Sequence, residues 1–171
     1  QLKKHVSILH CTTDYPAKFS DINLNVLALY QSVFQLPIGY SDHSLGTLVS
    51  IAAVAKGACI IEKHITLDKT MSGPDHRASI EPDEFAQLIT AIRDVEVILG
   101  CSEKKPSAAE QINMPIARKS LVAACNIKAG ERFNEGNVAI KRPGSGRPPI
   151  DYWKMINHKA NKDYQAGDLI D

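Results

Sequence analysis

The sequence predicts an α/β fold of about three parallel strand–helix units over residues 1–100, a linker over 101–115, and a small, mostly-β unit over 116–171. Three observations carry this expectation. Short β-rich apolar runs alternate with stretches of helical periodicity up to Gly100. The stretch CSEKKPSAAEQINMP that follows is polar and holds two prolines. Beyond it come brief β-type runs separated by glycine turns.

The elements follow in order. VSILHCTT (Val6 to Thr13) is short, apolar and β-rich, a strand. After the polar loop DYPAKFSD, INLNVLALYQSVF places Ile22, Val26, Leu29 and Val33 at helical spacing. LPIGYSD is the second strand. TLVSIAAVAKGA puts Leu48, Ile51, Ala52 and Ala55 on one helix face, and Gly57 stops it. ACIIEKHIT is the third strand, followed by the long loop LDKTMSGPDHRASI. Pro82 opens a further helix, with Asp83 and Glu84 at the positive end of its dipole. Its stripe is Phe85, Leu88, Ile89, Ile92, Val95 and Leu99, and Gly100 ends it. In the last unit SLVAAC, ERF and NVAIKR are the β-type runs, with turns at KAGE, NEGN and PGSG.

Strand–helix alternation implies parallel strands joined by right-handed crossovers. Such sheets are covered on both faces or closed into barrels, and closure needs about eight strands. The expectation is therefore the C-terminal part of a larger α/β protein. The alternative is a small three-layer domain sheltered by oligomerisation. The absent initiator methionine agrees with the first of these.

Composition narrows the function. Twenty basic and nineteen acidic side chains leave +1, which favours neither nucleic acid nor an anionic membrane as partner. Every apolar run is too short for a bilayer, and QLKKHVSILH lacks a signal-peptide layout. Cys11, Cys59, Cys101 and Cys125 form no C-x-x-C pair, so a zinc ribbon or redox dithiol is not expected. Cys11 and Cys59 read as buried thiols, and a reducing, cytoplasmic location fits.

The chemistry gathers at strand ends. Side chains alternate along a strand, so Ser41 and His43 share a face, as do Glu62 and His64, and His10 and Thr12. The carboxyl ends of parallel strands are where α/β proteins place their sites. If the last two strands are neighbours, His43 and His64 approach within reach of one ion. Two imidazoles leave positions open for water and substrate, and suit Mn²⁺ or Mg²⁺. The competing reading is a pair of hydrogen-bonded structural histidines. Asp75 in MSGPDHR either projects over the strand ends or closes an Asx turn. Lys63 points to the covering helices in a structural or solvated role, and His5, His76 and His158 read as surface groups.

HCTTDYP, GYSDHSLG, IIEKHITLDKTMSGPDHRAS, ARKSLVAA and VAIKRPGSG together resemble the N-acetylneuraminate (sialic acid) synthases and their legionaminic, pseudaminic and spore-coat relatives. The resemblance runs along essentially the whole chain. It implies the last strands, six to eight, of a TIM barrel followed by a SAF (antifreeze-like, β-clip) domain, with the earlier strands outside this chain. It implies condensation of phosphoenolpyruvate with an N-acetylated hexosamine such as N-acetylmannosamine, with a divalent metal held by His43 and His64. Ser41 matches a residue near phosphoenolpyruvate, and Thr13 stands where some relatives carry an asparagine. Tyr15 and Asp75 match groups lining the sugar pocket. Arg142 matches an arginine that reaches the N-acyl group, often from the other subunit of a domain-swapped homodimer. Glu62, able to accept a proton from the attacking water, is expected to act with His64 and Asp75 in catalysis. The rival expectation is a non-catalytic fragment or carbohydrate-binding SAF module. An aldolase-like phosphosugar enzyme is a further rival, but no phosphate-binding glycine loop supports it.

Overall fold

Alternating apolar runs and amphipathic stretches fold into two units in this computed structural model, which describes residues 5–171. One unit ends at Ser102 and the other spans Glu103–Asp171.

In the first unit, β1 (Ile8–Cys11), β2 (Ile38–Asp42) and β3 (Ile60–Lys63) form a parallel sheet in the order β1-β2-β3. Between them run α1 (Phe19–Ile22), α2 (Val26–Phe34) and α3 (Leu48–Ala55), and α4 (Pro82–Leu99) follows β3. The register pairs Cys11 with Ser41, Ser41 with Glu62, and Asp42 with Lys63. One sheet face packs its side chains into the helices. Ile38, Tyr40, Leu27, Val49 and Ala53 are buried there, with Ile8 and Ile61 packed against them. His10 is on this face too, bonded to the Ile22 carbonyl at 2.7 Å, and Thr12 donates to the Asp21 carbonyl. The other face carries Leu9, Cys11, Gly39, Ser41, Ile60 and Glu62.

The helix phases depart from the sequence expectation for local reasons. The periodicity over 22–34 assumed one helix, but Asn23 adopts a left-handed φ of 47°. That residue ends α1 and resets the phase, so Ile22 and Leu27 are buried while Leu29 and Val33 are 57% and 61% exposed. In α3 the buried face is Val49, Ser50 and Ala53, one position round from the expected Leu48, Ile51, Ala52 and Ala55. One step is about 100° on a helix. The rotation brings the Ser50 hydroxyl onto Asp42, at 2.5 Å. In α4 Leu88 is buried, whereas Phe85, Ile89 and Leu99 are exposed. Gly57 does close α3, at φ 92°. Pro82 does open α4, where the Glu84 carboxylate accepts from the Glu81 N–H at 2.9 Å. Cys11 and Cys59 are exposed rather than buried. Cys11 lies on the face turned away from the helices, and Cys59 precedes β3.

The second unit begins with α5 (Ala108–Ala117), which occupies most of the stretch read as a linker. A capping box explains it: the Ser107 hydroxyl accepts from the Glu110 N–H, and the Glu110 carboxylate accepts from the Ser107 N–H. β4 (Ser120–Ala123) then pairs antiparallel with β5 (Val138–Lys141). ERF contributes a lone bridge, Arg132 to Lys159, and buries Phe133. A short helix, α6 (Tyr152–Met155), was not expected from the sequence. Leu121, Ile127, Phe133, Met155, Tyr164 and Ile170 are central to this unit's core. The PGSG turn lies tight against the chain at 118–120. A Cβ on Gly144 would collide with Arg118, and the Ser120 hydroxyl donates to the Pro143 carbonyl at 2.7 Å.

Gly39 sets the closeness of the sheet. A Cβ there would stand 2.6 Å from the Ile60 carbonyl oxygen and 2.8 Å from the Ile60 Cβ. Gly39→Ala is therefore expected to destabilise the first unit by ~1–3 kcal/mol, the scale of overpacking. A urea midpoint unchanged from the parent's would show that β2 and β3 part without cost.

Candidate active site

Three loops meet over the ends of β2 and β3. Because Asp42 and Lys63 are register partners, the next residues, His43 and His64, leave the sheet side by side. Their ring centroids are 5.8 Å apart. Tyr15, from the loop after β1, lays its ring 4.7 Å from His43 and 4.5 Å from His64. That loop is pinned by the Ala17 N–H donating to the His43 carbonyl at 2.9 Å. Burial first, then the negative field of Asp75, Asp42 and Cys11, pushes the Tyr15 phenol up to about 12. It stays a neutral hydrogen-bond donor near neutral pH.

Asp75 arrives from the loop after β3. The Ile80 N–H bonds the His64 carbonyl at 3.0 Å and the Thr66 N–H bonds the Ile80 carbonyl at 2.9 Å, folding the loop back on the strand end. Asp75 Oδ2 then lies 3.9 Å from His64 Nδ1. The turn that follows is held by the Asp75 backbone carbonyl, which accepts from Ala78, Ser79 and the Ser79 hydroxyl. The main chain does the work expected of an Asx turn, and the carboxylate faces the histidine.

On the open sheet face, the Ser41 hydroxyl donates to Glu62 Oε1 at 2.5 Å. Cys11 Sγ lies 3.7 and 3.6 Å from His43 Nδ1 and Nε2. The sequence reading missed this thiol, which the β1–β2 register brings beside Ser41. Thr13 lines a shallow cleft with Asp14, Tyr15 and His43. Arg77, also missed, lines the neighbouring cleft with Tyr15, Leu45 and Pro74. His76, expected at the surface, is half-buried with Nδ1 2.7 Å from the Thr66 hydroxyl. Arg142 belongs to the second unit, where its Nε donates to the Ala117 carbonyl at 3.0 Å.

Among the described residues, no cluster of three or more His, Cys, Asp or Glu side chains is arranged to hold an ion. Two imidazoles alone remain candidates. With metal–nitrogen bonds of about 2.1 Å, two rings on one ion have centroids within about 6.5 Å, and His43 and His64 meet that limit. Among the described residues, no helix is long and apolar enough to cross a membrane.

Residues 1–104 match the NeuB family, and residues 118–171 match the SAF domain. The chain is 49% identical over 168 residues to N,N'-diacetyllegionaminic acid synthase of Campylobacter jejuni, covering 98% of this chain and 50% of that protein. It is 39% identical over 171 residues to N-acetylneuraminate-9-phosphate synthase of Homo sapiens, covering 99% and 48%. Among solved structures, the N-acetylneuraminic acid (sialic acid) synthetase of Leptospira borgpetersenii aligns with a TM-score of 0.58 at 44% identity, over 63% of this chain and 38% of that one. A putative spore coat polysaccharide biosynthesis protein E from Chromobacterium violaceum aligns at 0.66 with 26% identity, over 96% and 50%. The chain spans about half the length of the curated relatives it matches. On the extent of these matches, the chain belongs to the NeuB family and carries a SAF domain behind its NeuB region.

Proposed function

We propose that this chain supplies the last βα units of a TIM barrel, with a SAF domain, to a nonulosonic acid synthase. The reaction is the condensation of phosphoenolpyruvate with an open-chain N-acetylated hexosamine, giving a sialic or related acid and phosphate. The observation that carries the reading is the pair of imidazoles 5.8 Å apart at the ends of β2 and β3. The names of the similar synthases agree with it.

In this reading His43 and His64 hold a divalent ion, Mn²⁺ or Mg²⁺, which supplies Lewis-acid polarisation of the sugar aldehyde when bound. Tyr15 and Asp75 line the sugar site. Tyr15 donates a hydrogen bond as a neutral phenol, and Asp75 orients His64 from 3.9 Å. Ser41 and Thr13 contact phosphoenolpyruvate. The C=C pair of phosphoenolpyruvate forms the new bond to the aldehyde carbon, the aldehyde oxygen takes a proton from solvent to become a hydroxyl, and water adds to the carbon bearing phosphate, left positive by loss of that pair. Glu62 accepts the water's proton; its bond from Ser41, at 2.5 Å, holds one carboxylate oxygen and leaves the other free. Collapse of the tetrahedral species breaks the C–O bond and releases phosphate.

Arg142 binds the N-acyl carbonyl, and in a domain-swapped homodimer it does so for the partner's site. Its planar fork suits a carbonyl oxygen. With Nε committed to Ala117, the two terminal nitrogens are left for the sugar. Four free thiols suit a reducing cytoplasm.

In the complete synthase, His43→Ala and His64→Ala are each expected to cut turnover by ~10²–10³-fold or more, the scale of losing one electrostatic group. Circular dichroism should be unchanged. Metal-dependent turnover retained in both would remove the histidines from the site. Arg142→Ala is expected to raise KM for the hexosamine about 10–100-fold, the scale of a hydrogen bond to a charged group. The KM for phosphoenolpyruvate should stay within about twofold, and the reverse pattern would take Arg142 out of the sugar site.

A further inference from the structure

The residues just before the two imidazoles are a buried ion pair. Asp42 and Lys63 face each other across β2 and β3 on the helix side, with side chains 0% and 1% exposed. Lys63 Nζ lies 3.1 Å from Asp42 Oδ2 and donates to the Ser44 carbonyl at 2.8 Å. Asp42 also accepts from the Ser44 N–H at 2.9 Å, the Ser44 hydroxyl at 2.6 Å and the Ser50 hydroxyl at 2.5 Å.

As a stabilising device this is a poor choice, because two well-packed apolar side chains commonly do as well or better. Its geometric content is high. The β2–β3 register ends at Asp42 and Lys63. Beyond it, the His43 carbonyl is bonded to Ala17 and the His64 carbonyl to Ile80, so each histidine's backbone is tied to a different loop. Lys63 supplies a link between the two strands at this level. It leaves the residue before His64 and grips both the residue before His43 and the residue after it. Ser50 fixes the carboxylate from α3, so the link is held against a helix as well.

We propose that Asp42 and Lys63 are positioning residues, a buried clamp that fixes the separation and orientation of His43 and His64 for the divalent ion. The inference rests on the metal-ligand reading of the histidines given above. It predicts that loosening the clamp moves the rings and weakens the metal, beyond any effect on stability.

The test uses Mn²⁺ binding by the full chain, read from the loss of the free-ion electron paramagnetic resonance signal, with His43→Ala as the site control. Lys63→Met is expected to weaken Mn²⁺ binding ~10–100-fold, the usual effect of removing a group that orients a ligand. Should that variant not fold, Ser50→Ala removes one hydrogen bond from the clamp and is expected to cost about threefold. In metal-free protein, the imidazole nitrogen resonances of His43 and His64 are expected to shift in Ser50→Ala, while those of His158 stay fixed. Unaltered ring resonances in folded Ser50→Ala, or unaltered Mn²⁺ affinity where the parent binds, would overturn the clamp. A parent chain that binds no Mn²⁺ would instead count against the metal reading, and the metal-free resonances would still decide the clamp.

Discussion

The parallel register of β2 against β3 is the constraint on which the rest depends. Setting Ser41 beside Glu62 and Asp42 beside Lys63 distributes three kinds of chemistry at once. The open face receives a short serine–carboxylate hydrogen bond. The helix face receives a charge pair walled off from water. The strand ends release two imidazoles in step. A slip of one residue would turn every side chain to the other face, burying Glu62 and exposing Lys63. The effective penalty for burying an ion is several kcal/mol. Such a slip would place an unpaired carboxylate among Leu27, Tyr40 and Val49, so the polar residues enforce the register that the apolar ones permit.

Much of the candidate site's geometry was legible in the sequence because strand geometry has a short, rigid period. Alternation alone places Ser41 with His43 and Glu62 with His64, and separates Lys63 from His64; the β2–β3 register then sets Ser41 beside Glu62. Neighbouring strands do the rest. The histidine pair, Tyr15 and Asp75, all singled out in the sequence, lie together over the strand ends. Helix phase was less legible. One left-handed residue, Asn23, breaks the period that Ile22, Val26, Leu29 and Val33 seemed to share, and no apolar count reveals it. In α3 the hydroxyl of Ser50 is buried for its bond to Asp42, a preference that hydrophobicity cannot register. The polar composition of 101–115 masked α5 because its stability begins at a cap, Ser107 with Glu110, rather than at an apolar stripe. Cys11 was misplaced because an apolar run does not say which face the helices cover.

The face carrying Leu9, Cys11, Gly39, Ser41, Ile60 and Glu62 has a mixed character that a protein core would not choose. Parallel sheets are ordinarily covered on both sides. In the proposed barrel this face is the interior, where residues from alternate strands stack in layers. Gly39 then has a second consequence. By carrying no side chain, it lets Ile60 and Leu9 close over it, so the layer directly beneath Ser41 and Glu62 is packed and the proposed substrate atoms would react above it.

Arg142 illustrates a different way of making a side chain precise. It is exposed, and an exposed arginine ordinarily loses much rotamer freedom when it binds. Here part of that loss is already met within its own unit, because Nε is tied to the Ala117 carbonyl. The following turn is clamped in its turn. Gly144 donates to the Pro115 carbonyl at 2.7 Å, and the Ser120 hydroxyl accepts from Gly146 while donating to Pro143. Glycines at 144 and 146 are what let this turn lie so close to Arg118 and Leu169. In the proposed reading, the buried serine and the glycine turn would act on recognition through rigidity. A preorganised donor fork would bind a carbonyl at a lower ordering cost than a mobile one. Affinity for the acyl group in the proposed reaction would therefore depend on Ser120 and Gly144, which hold this turn, as well as on the arginine proposed to bind it.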